Sequence, residues 1–135
     1  MVFQDPDDQL FSPTVAEDIA FGPLNLRKNH QETKKILKET LETLRLAGFE
    51  NRITYNLSYG EKRLVSLATV WAMQPEILLL DEPTIWLNEE TIEKIVQILN
   101  SNPHLSYIII SHDKNFLKKT TSCKYEMSDG KIKKK

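Results

Sequence analysis

The sequence contains little of what several classes of protein require. It has one cysteine, Cys123, which excludes an internal disulfide and is typical of a reducing compartment. No apolar run approaches the roughly 18 residues that a membrane-spanning helix needs, and no secretory signal peptide is recognisable. These absences predict a soluble, cytoplasmic protein.

Charge of one sign does not dominate the chain. Its 18 Lys and Arg nearly balance 19 Asp and Glu, and a net charge of −1 argues against a dedicated nucleic-acid-binding protein. The 135 residues, of which 40% are hydrophobic, suffice for the core of one domain. Lysines are concentrated near the end, and Lys131 and Lys133 to Lys135 are predicted to form a solvated tail.

Glycine is scarce as well. None of the four glycines is followed by Lys and then Ser or Thr, so this chain contains no phosphate loop of the form G-x-x-x-x-G-K-[ST]. The backbone amides of such a loop cradle phosphates, and this chain does not supply them.

Four consecutive aliphatic residues, 77–80, precede Asp81, Glu82 and Pro83. The run predicts a strand buried on both faces, as in a helix-covered parallel sheet, which Pro83 cannot extend. Ligands bind at the carboxyl ends of such strands, so the adjacent carboxylates suit two roles, one for a metal ion and one for a water. The alternative is a strand that merely ends in acids at a solvated loop.

Two amphipathic helices are predicted before this strand. Thr14 and Glu17 form a capping box for the first helix, and Gly22-Pro23 is predicted to end it. The second helix is predicted over residues 31–47, with Gly48 at its C′ position.

A third helix begins at a second capping box, Ser58 with Glu61. Free amides and the positive end of the helix dipole attract an anion there, and Gly60 allows a close backbone approach. Lys62 and Arg63 oppose the dipole, which indicates that an anion visits this site. The alternative is a capping box with a structural role alone.

A second buried strand, 107–110, follows a helix that Asn88 is predicted to cap. Because parallel strands joined by a helix end at the same edge, His112 is predicted to lie beside Asp81 and Glu82. A lone His in this position is more often an ordinary surface residue. Further on, a hairpin with an Asp129-Gly130 turn is predicted.

These segments resemble the motifs of the ATP-binding cassette (ABC) ATPases over the whole chain. Val2 to Gln4 resembles the Q-loop, Leu57 to Glu61 the signature motif, Ile77 to Pro83 Walker B, and Ser111 to Asp113 the switch-histidine loop. Residues 3–23 and the Glu61-Lys62-Arg63 that follows the signature are most similar to the energy-coupling-factor importers of cobalt, nickel or vitamins.

The resemblance implies an α/β fold of the P-loop NTPase class, present here in part. Residues 1–13 correspond to the Q-loop segment, residues 14–75 to the helical subdomain, and residues 76–135 to the C-terminal part of the catalytic core.

The resemblance also implies roles for individual residues, with ATP and Mg²⁺ as cofactors. Glu82, His112 and Gln4 are the implied catalytic residues, and Asp81 and Gln4 the metal-binding ones.

From the signature motif, Ser58, Gly60 and Glu61 are the implied nucleotide-binding residues. In the family they complete the site of a second ATPase protomer, in a homo- or heterodimer.

The implied partners are that protomer and a transmembrane subunit, which places the protein on the cytoplasmic face of the membrane.

Two features depart from the family. The phosphate loop upstream of the Q-loop is absent, and Trp86-Leu87-Asn88 stands where the family usually has Gly-Leu-Asp. We therefore expect the C-terminal part of an ATPase, inactive alone, with the N-terminal half missing or supplied by another chain.

Two alternatives from other classes remain. The chain could be a non-catalytic fragment that binds a membrane subunit or a full-length ATPase through residues 14–75. It could also be a DNA-repair or chromosome-maintenance relative, but those proteins insert a long coiled coil where Gln4 and Ser58 are only 54 positions apart. This spacing disfavours the DNA-repair alternative.

Overall fold

The computed structural model describes residues 1–134 and has the predicted α/β class. Its helices are α1 (Val15–Asn25), α2 (His30–Thr43), α3 (Tyr59–Trp71), α4 (Glu89–Asn100) and α5 (Lys114–Thr120). Its strands are β1 (Ile77–Asp81), β2 (Ser106–Ile110), β3 (Tyr125–Ser128) and β4 (Lys131–Lys134). Two short 3₁₀ turns lie at Pro6–Asp8 and Thr54–Asn56.

β1 lies in the middle of a small parallel sheet. It pairs with β2 in a register that places Asp81 opposite Ile110. The amide of Asp81 donates to Val2 O (3.2 Å), whereas the next amide, that of Glu82, donates to Ile110 O (2.9 Å). Successive amides point to opposite sides of a strand, so Val2 flanks β1 on the side away from β2. Within residues 1–134, β2 therefore has a strand neighbour on one side alone.

The prediction that both strands are buried on both faces is wrong. In β1, Leu78 and Leu80 are buried while Ile77 and Leu79 are exposed. In β2, half-buried Tyr107 and Ile109 alternate with exposed residues. Helices α3 to α5 contribute buried residues to the core on one face, and the described residues leave the other face open. A run of aliphatic residues indicates that both faces of a strand are hydrophobic. It does not indicate whether another element packs on each face.

The prediction that Gly22-Pro23 ends α1 is also wrong, since the helix continues to Asn25. Pro23 lies in the last turn of the helix. Gly22 has a packing role instead, because a Cβ atom there would lie 2.6 Å from Met73 Cγ. The glycine allows α1 to approach the end of α3 closely.

The helix predicted over residues 31–47 begins at His30 and ends earlier, at Thr43. Its end is formed by Arg45, which adopts a left-handed backbone with φ of 57°, so Gly48 is not the C′ residue. Leu41 in the last turn of α2 and Leu44 directly after the helix are buried in the core.

The terminal hairpin forms as predicted, with Asp129 and Gly130 both at positive φ in the two-residue turn. The predicted lysine tail is solvated, but Lys131, Lys133 and Lys134 belong to β4 rather than to a tail. Lys135 lies outside the described residues.

None of the helices in residues 1–134 is long and apolar enough to cross a membrane.

Candidate functional site

Two carboxylates and a histidine meet at the carboxyl end of the parallel sheet. Asp81 ends β1, and Glu82 follows it directly. His112 Nε2 lies 3.5 Å from Glu82 Oε1, and the His112 amide donates to Glu82 Oε2 at 3.4 Å. The predicted convergence of His112 with Glu82 is confirmed by this geometry.

Glu82 has a largely buried side chain and an unusual backbone conformation. Its side chain is 12% exposed, whereas that of His112 is 99% exposed. Its backbone is left-handed, with φ of 42°, a conformation that L-residues adopt at a cost of about 1–2 kcal/mol. Strained backbone of this kind is concentrated at functional sites.

Gln4 lies at the same end of the sheet. It follows Val2 by two residues, and Val2 pairs in parallel with Leu80 of β1. The chain therefore passes beyond Asp81 as it reaches Gln4, whose side chain is exposed.

The guanidinium of Arg63 is buried against the backbone around Gln4. Arg63 is 1% exposed and donates through its two terminal nitrogens to Phe3 O and Gln4 O. Burial lowers the pKa of this guanidinium, and Tyr59, Asp5 and Asp81 act in the opposite direction. Asp81 thus lies within electrostatic reach of Arg63.

Lys62, the neighbour of Arg63, forms an ion pair with Asp7 at 2.6 Å. Lys62 and Arg63 therefore do not need a visiting anion to explain their position, and an anion at this helix terminus stays a prediction. Both cations have partners in the segment that contains Gln4, and these partners offset the unfavourable end of the helix dipole.

The capping box that opens α3 forms as predicted. Ser58 Oγ accepts from the Glu61 amide at 3.3 Å, and Glu61 Oε2 accepts from the Ser58 amide at 2.8 Å. Arg52 also binds the Glu61 carboxylate through both terminal nitrogens, at 2.7 and 3.2 Å. This bidentate bond from Arg52, with the Ser58 bonds, lowers the pKa of Glu61.

Gly60 allows a close approach within the chain. A Cβ atom on Gly60 would lie 3.0 Å from Thr91 Oγ1, so the first turn of α3 packs directly against the first turn of α4. The close approach that the sequence suggested for a ligand is used here by α4.

The segment between Glu82 and α4 contains the departures from the family pattern. Asn88 caps α4 as predicted, since its Oδ1 accepts from the Thr91 amide at 2.9 Å. Trp86 has a φ of 59° and is 84% exposed. The resemblance places a glycine at this position, and the left-handed backbone gives the physical reason for that preference.

Asp81 and Gln4 are chemically suited to Mg²⁺. A carboxylate and an amide supply the oxygen ligands that this ion prefers, and Mg²⁺ commonly keeps several waters. No group of three or more His, Cys, Asp or Glu side chains among residues 1–134 could hold a metal ion by itself.

The partners of Arg52 and Arg63 were not predicted from the sequence. A signal for Arg63 was present, because it lies one helical turn before the buried Leu67, on the stripe that faces the core. A charge on a buried stripe requires a partner. No such signal distinguished Arg52, which lies in a loop.

Comparison with known proteins gives a consistent result. The profile of the ABC transporter family matches residues 1–85. The energy-coupling factor transporter ATP-binding protein EcfA of Methanocaldococcus jannaschii is 44% identical over 98% of this chain and 48% of its own length. The chain spans about half the length of the curated relatives it matches.

Solved structures also resemble the chain over nearly all of its length. The structure of cbiO1 from Clostridium perfringens, part of the ABC transporter complex cbiONQ, has a TM-score of 0.88 at 32% identity. It is matched over 97% of this chain and 53% of its own. The ATP-binding cassette MJ0796, in a dimeric post-hydrolysis state bound to ADP and Pi, has a TM-score of 0.80 at 28% identity, over 98% of this chain and 61% of its own.

Proposed function

Because this chain belongs to the ABC transporter family of ATPases, and within it to the energy-coupling-factor type, we propose that it carries the catalytic carboxylate and signature motif of an importer's ATP-hydrolysing subunit. The reaction is hydrolysis of the β–γ phosphate bond of ATP. The single observation that supports the proposal is the contact between Glu82 and His112 at the end of the strand that Asp81 closes. In the proposal these residues serve as the base, a phosphate ligand and a metal ligand, respectively Glu82, His112 and Asp81.

In this proposal Glu82 orients and polarises the attacking water. The low exposure of its side chain and the hydrogen bond from the His112 amide limit the directions in which the carboxylate can point. Phosphoryl transfer depends mainly on positioning and charge stabilisation, so a fixed carboxylate is the useful contribution of this chain.

His112 contacts the γ-phosphate. Its imidazole is almost fully exposed, so it is free to meet a ligand without breaking buried contacts. Asp81 and Gln4 would hold Mg²⁺, which would supply positive charge to neutralise the phosphates. Gln4 also connects the site to the membrane subunit.

Ser58, Gly60 and Glu61 serve the site of a second ATPase protomer in this proposal. The Ser58 oxygen accepts from Glu61, which leaves its hydroxyl proton available to a phosphate. Glu61 acts indirectly, because its carboxylate is occupied by Arg52 and by the Ser58 amide. The division into a Q-loop segment (1–13), a helical subdomain (14–75) and a catalytic core (76–135) belongs to the same proposal.

The transported substrate is proposed from the resemblance to be cobalt, nickel or a vitamin. The transmembrane subunit is proposed to dock on the helical subdomain at the cytoplasmic face of the membrane. Large apolar side chains support this docking site: Phe21 of the helical subdomain is 50% exposed, and Phe11 of the adjoining Q-loop segment is 66% exposed. Their rings pack edge to face, with centroids 4.8 Å apart.

The experiment is ATP hydrolysis by the complete ATPase that contains this chain, reconstituted with its membrane subunit. Glu82→Gln is expected to lower kcat by about 100-fold or more with nucleotide affinity retained, because the carboxylate acts mainly in the transition state. Glu76→Gln is the matched control, since Glu76 precedes β1 at the opposite end of the strand. Full turnover in Glu82→Gln would reject Glu82 as the catalytic carboxylate.

A second candidate function is a non-catalytic fragment that binds a membrane subunit or a full-length ATPase. The exposed Phe11 and Phe21 pair favours it, because docking through this surface needs no nucleotide. The two functions differ in one result: the fragment would bind the membrane subunit equally well with and without Mg-ATP.

A further inference from the structure

Residues 3–9 are attached to α3 by several polar contacts. Arg63 donates to the carbonyl oxygens of Phe3 and Gln4, and the Tyr59 hydroxyl donates to Gln4 O at 3.4 Å. These contacts join the residues around the proposed catalytic Gln4 to the helix that begins at the signature motif.

Gln9 forms a second attachment in the opposite direction. Its Oε1 accepts from the Phe3 amide at 3.2 Å, and its Nε2 donates to Ser66 O and Thr69 Oγ1, both at 2.7 Å. Segment 3–9 and α3 are thus bound by side chains from both partners.

Arg63 is the expensive part of this arrangement. A buried cation in the first turn of a helix is disfavoured both by desolvation and by the helix dipole. An aliphatic side chain would fill a buried site without either cost. The guanidinium fork, however, can hold two successive carbonyls at once, and Asp5 and Asp81 act on it electrostatically.

We propose that Arg63 is a positioning residue for the proposed hydrolysis reaction: it fixes the backbone of Gln4 to α3, so that the Gln4 side chain and the signature motif move together. This inference rests on the proposed function. Arg63 acts through the carbonyl oxygens of Phe3 and Gln4, to which both of its terminal nitrogens donate.

Amide hydrogen exchange of the 135-residue chain tests the attachment without any activity. Arg63→Lys keeps the charge but supplies one nitrogen for two carbonyls, and we expect about tenfold faster exchange at the amides of Val2 and Phe3. Arg52→Lys is the matched control, because it also removes a bidentate bond to the first turn of α3 but does not touch segment 3–9. Unchanged exchange at Val2 and Phe3 in Arg63→Lys would overturn the proposal.

A double-mutant cycle with Gln4 separates positioning from general stabilisation. In the complete ATPase reconstituted with its membrane subunit, Arg63→Lys is expected to lower kcat about tenfold, but less than about twofold when Gln4 is already Ala. Gln4→Ala keeps the carbonyl that Arg63 binds, so a merely structural role would cost the same factor in both backgrounds. Equal factors would overturn the positioning role.

The outcome also distinguishes this proposal from the proposed function. An unsubstituted assembly that hydrolyses no ATP would overturn the proposed function, and the positioning role with it, whatever the exchange result. An active assembly with equal factors would overturn the positioning role of Arg63 and leave the proposed function standing.

Discussion

Trp86 combines two costs in one residue, a left-handed backbone and an indole ring that is 84% exposed. Trp86→Gly relieves backbone strain of about 1–2 kcal/mol and costs about 0.5–1 kcal/mol in unfolded-chain entropy. We therefore expect the free energy of unfolding to rise by roughly 0.5–1 kcal/mol, measured by urea denaturation.

Tyr55→Gly is the control for this prediction. Tyr55 is also an exposed aromatic residue, at 72%, but it is not among the residues with positive φ. Glycine there costs entropy without relieving strain, so stability should fall. A loss of stability in Trp86→Gly as well would show that the indole has contacts in solution that stabilise the chain.

The Arg52–Glu61 pair should make stability depend on pH. Because Arg52 lowers the pKa of Glu61 below its usual 4.5, the pair contributes stability above that value and loses it as the pH falls through the folded-state pKa. We expect Arg52→Met to cost about 0.5–1 kcal/mol at pH 7, since both side chains are partly exposed. Urea denaturation of wild type and Arg52→Met at pH 7 and at pH 3 measures the free energy of unfolding under each condition.

The difference between wild type and Arg52→Met should shrink at pH 3. A remainder is expected from the lost contact between Arg52 and the Phe49 ring, 4.2 Å away, which does not depend on the charge of Glu61. Lys35→Met is the control, because the Lys35–Glu39 pair is highly exposed and separated by 3.8 Å. A difference that did not change between pH 7 and pH 3 would contradict the assignment to Glu61.

At the scale of single residues, the sequence predicted those roles that depend on near neighbours. The capping roles of Thr14, Ser58 and Asn88 require partners only three residues away, and all three are confirmed. Arg63 has partners 59 and 60 positions away, which no local pattern identifies. Its charge was therefore attributed to a ligand that the structure makes unnecessary.

At the scale of elements, β2 is exposed in two directions, with polar backbone groups along its outer edge and apolar side chains on the open face. Its outer edge has no strand neighbour among residues 1–134, and Ile108 and Ile110 are 57% and 60% exposed on the open face. Such a strand invites pairing with another copy. We expect this chain to form dimers or larger species at micromolar concentration, and Ile108→Lys to shift it toward the monomer in sedimentation velocity.

Ile109→Lys is the control at the neighbouring position. Ile109 is half-buried and packs against the core, so a lysine there should unfold the chain rather than dissociate it, which circular dichroism would detect. Stable monomers of the unsubstituted chain across micromolar concentrations would contradict the association through β2.

The contact between α3 and α4 at Gly60 gives a further prediction. Alanine favours a helix over glycine by up to about 1 kcal/mol, but a Cβ atom on Gly60 would lie 3.0 Å from Thr91 Oγ1. We expect Gly60→Ala to be neutral or destabilising alone and stabilising when Thr91 is Ala, with an interaction free energy of about 1 kcal/mol from thermal or urea unfolding. Equal effects in both backgrounds would show that α4 moves away freely.

Two of the errors at this scale have one cause. The sequence located β1, β2 and helices α1 to α4, because hydrophobic periodicity and caps are local. It assigned the wrong burial to Leu79 and the wrong role to Gly22, because both depend on which element packs nearby. Gly22 packs closely against Met73, and the sequence of α1 alone does not predict this contact.

For the whole molecule, the charges gathered at the site argue against tight nucleotide binding by this chain alone. Asp81 and Glu82 are carboxylates, and the nearest buried cation, Arg63, is bound to backbone carbonyls. The anionic phosphates of Mg-ATP are repelled by such a set, so we expect a dissociation constant for Mg-ATP of roughly 100 μM or weaker in calorimetry. Low-micromolar binding would contradict this prediction and require another phosphate-binding group.

The overall site was predictable because parallel strands end at a common edge. That rule brought His112 to Glu82 from positions 30 residues apart, and the contact is present. The open sheet face was not predictable from the same rule, since it depends on the number of layers that pack on the sheet.

The attachment of segment 3–9 to α3 also determines the order in which the chain can fold during synthesis. Its contacts join residues 55 to 60 positions apart, such as Lys62 with Asp7 and Arg63 with Phe3. Closing a loop of about 60 residues costs on the order of 3–4 kcal/mol in chain entropy, which local contacts cannot offset. Residues 3–9 therefore leave the ribosome well before their partners and remain without them until α3 has emerged. A pause in translation between these two segments would prolong the exposure of Phe3 and the acidic turn to chaperones and proteases.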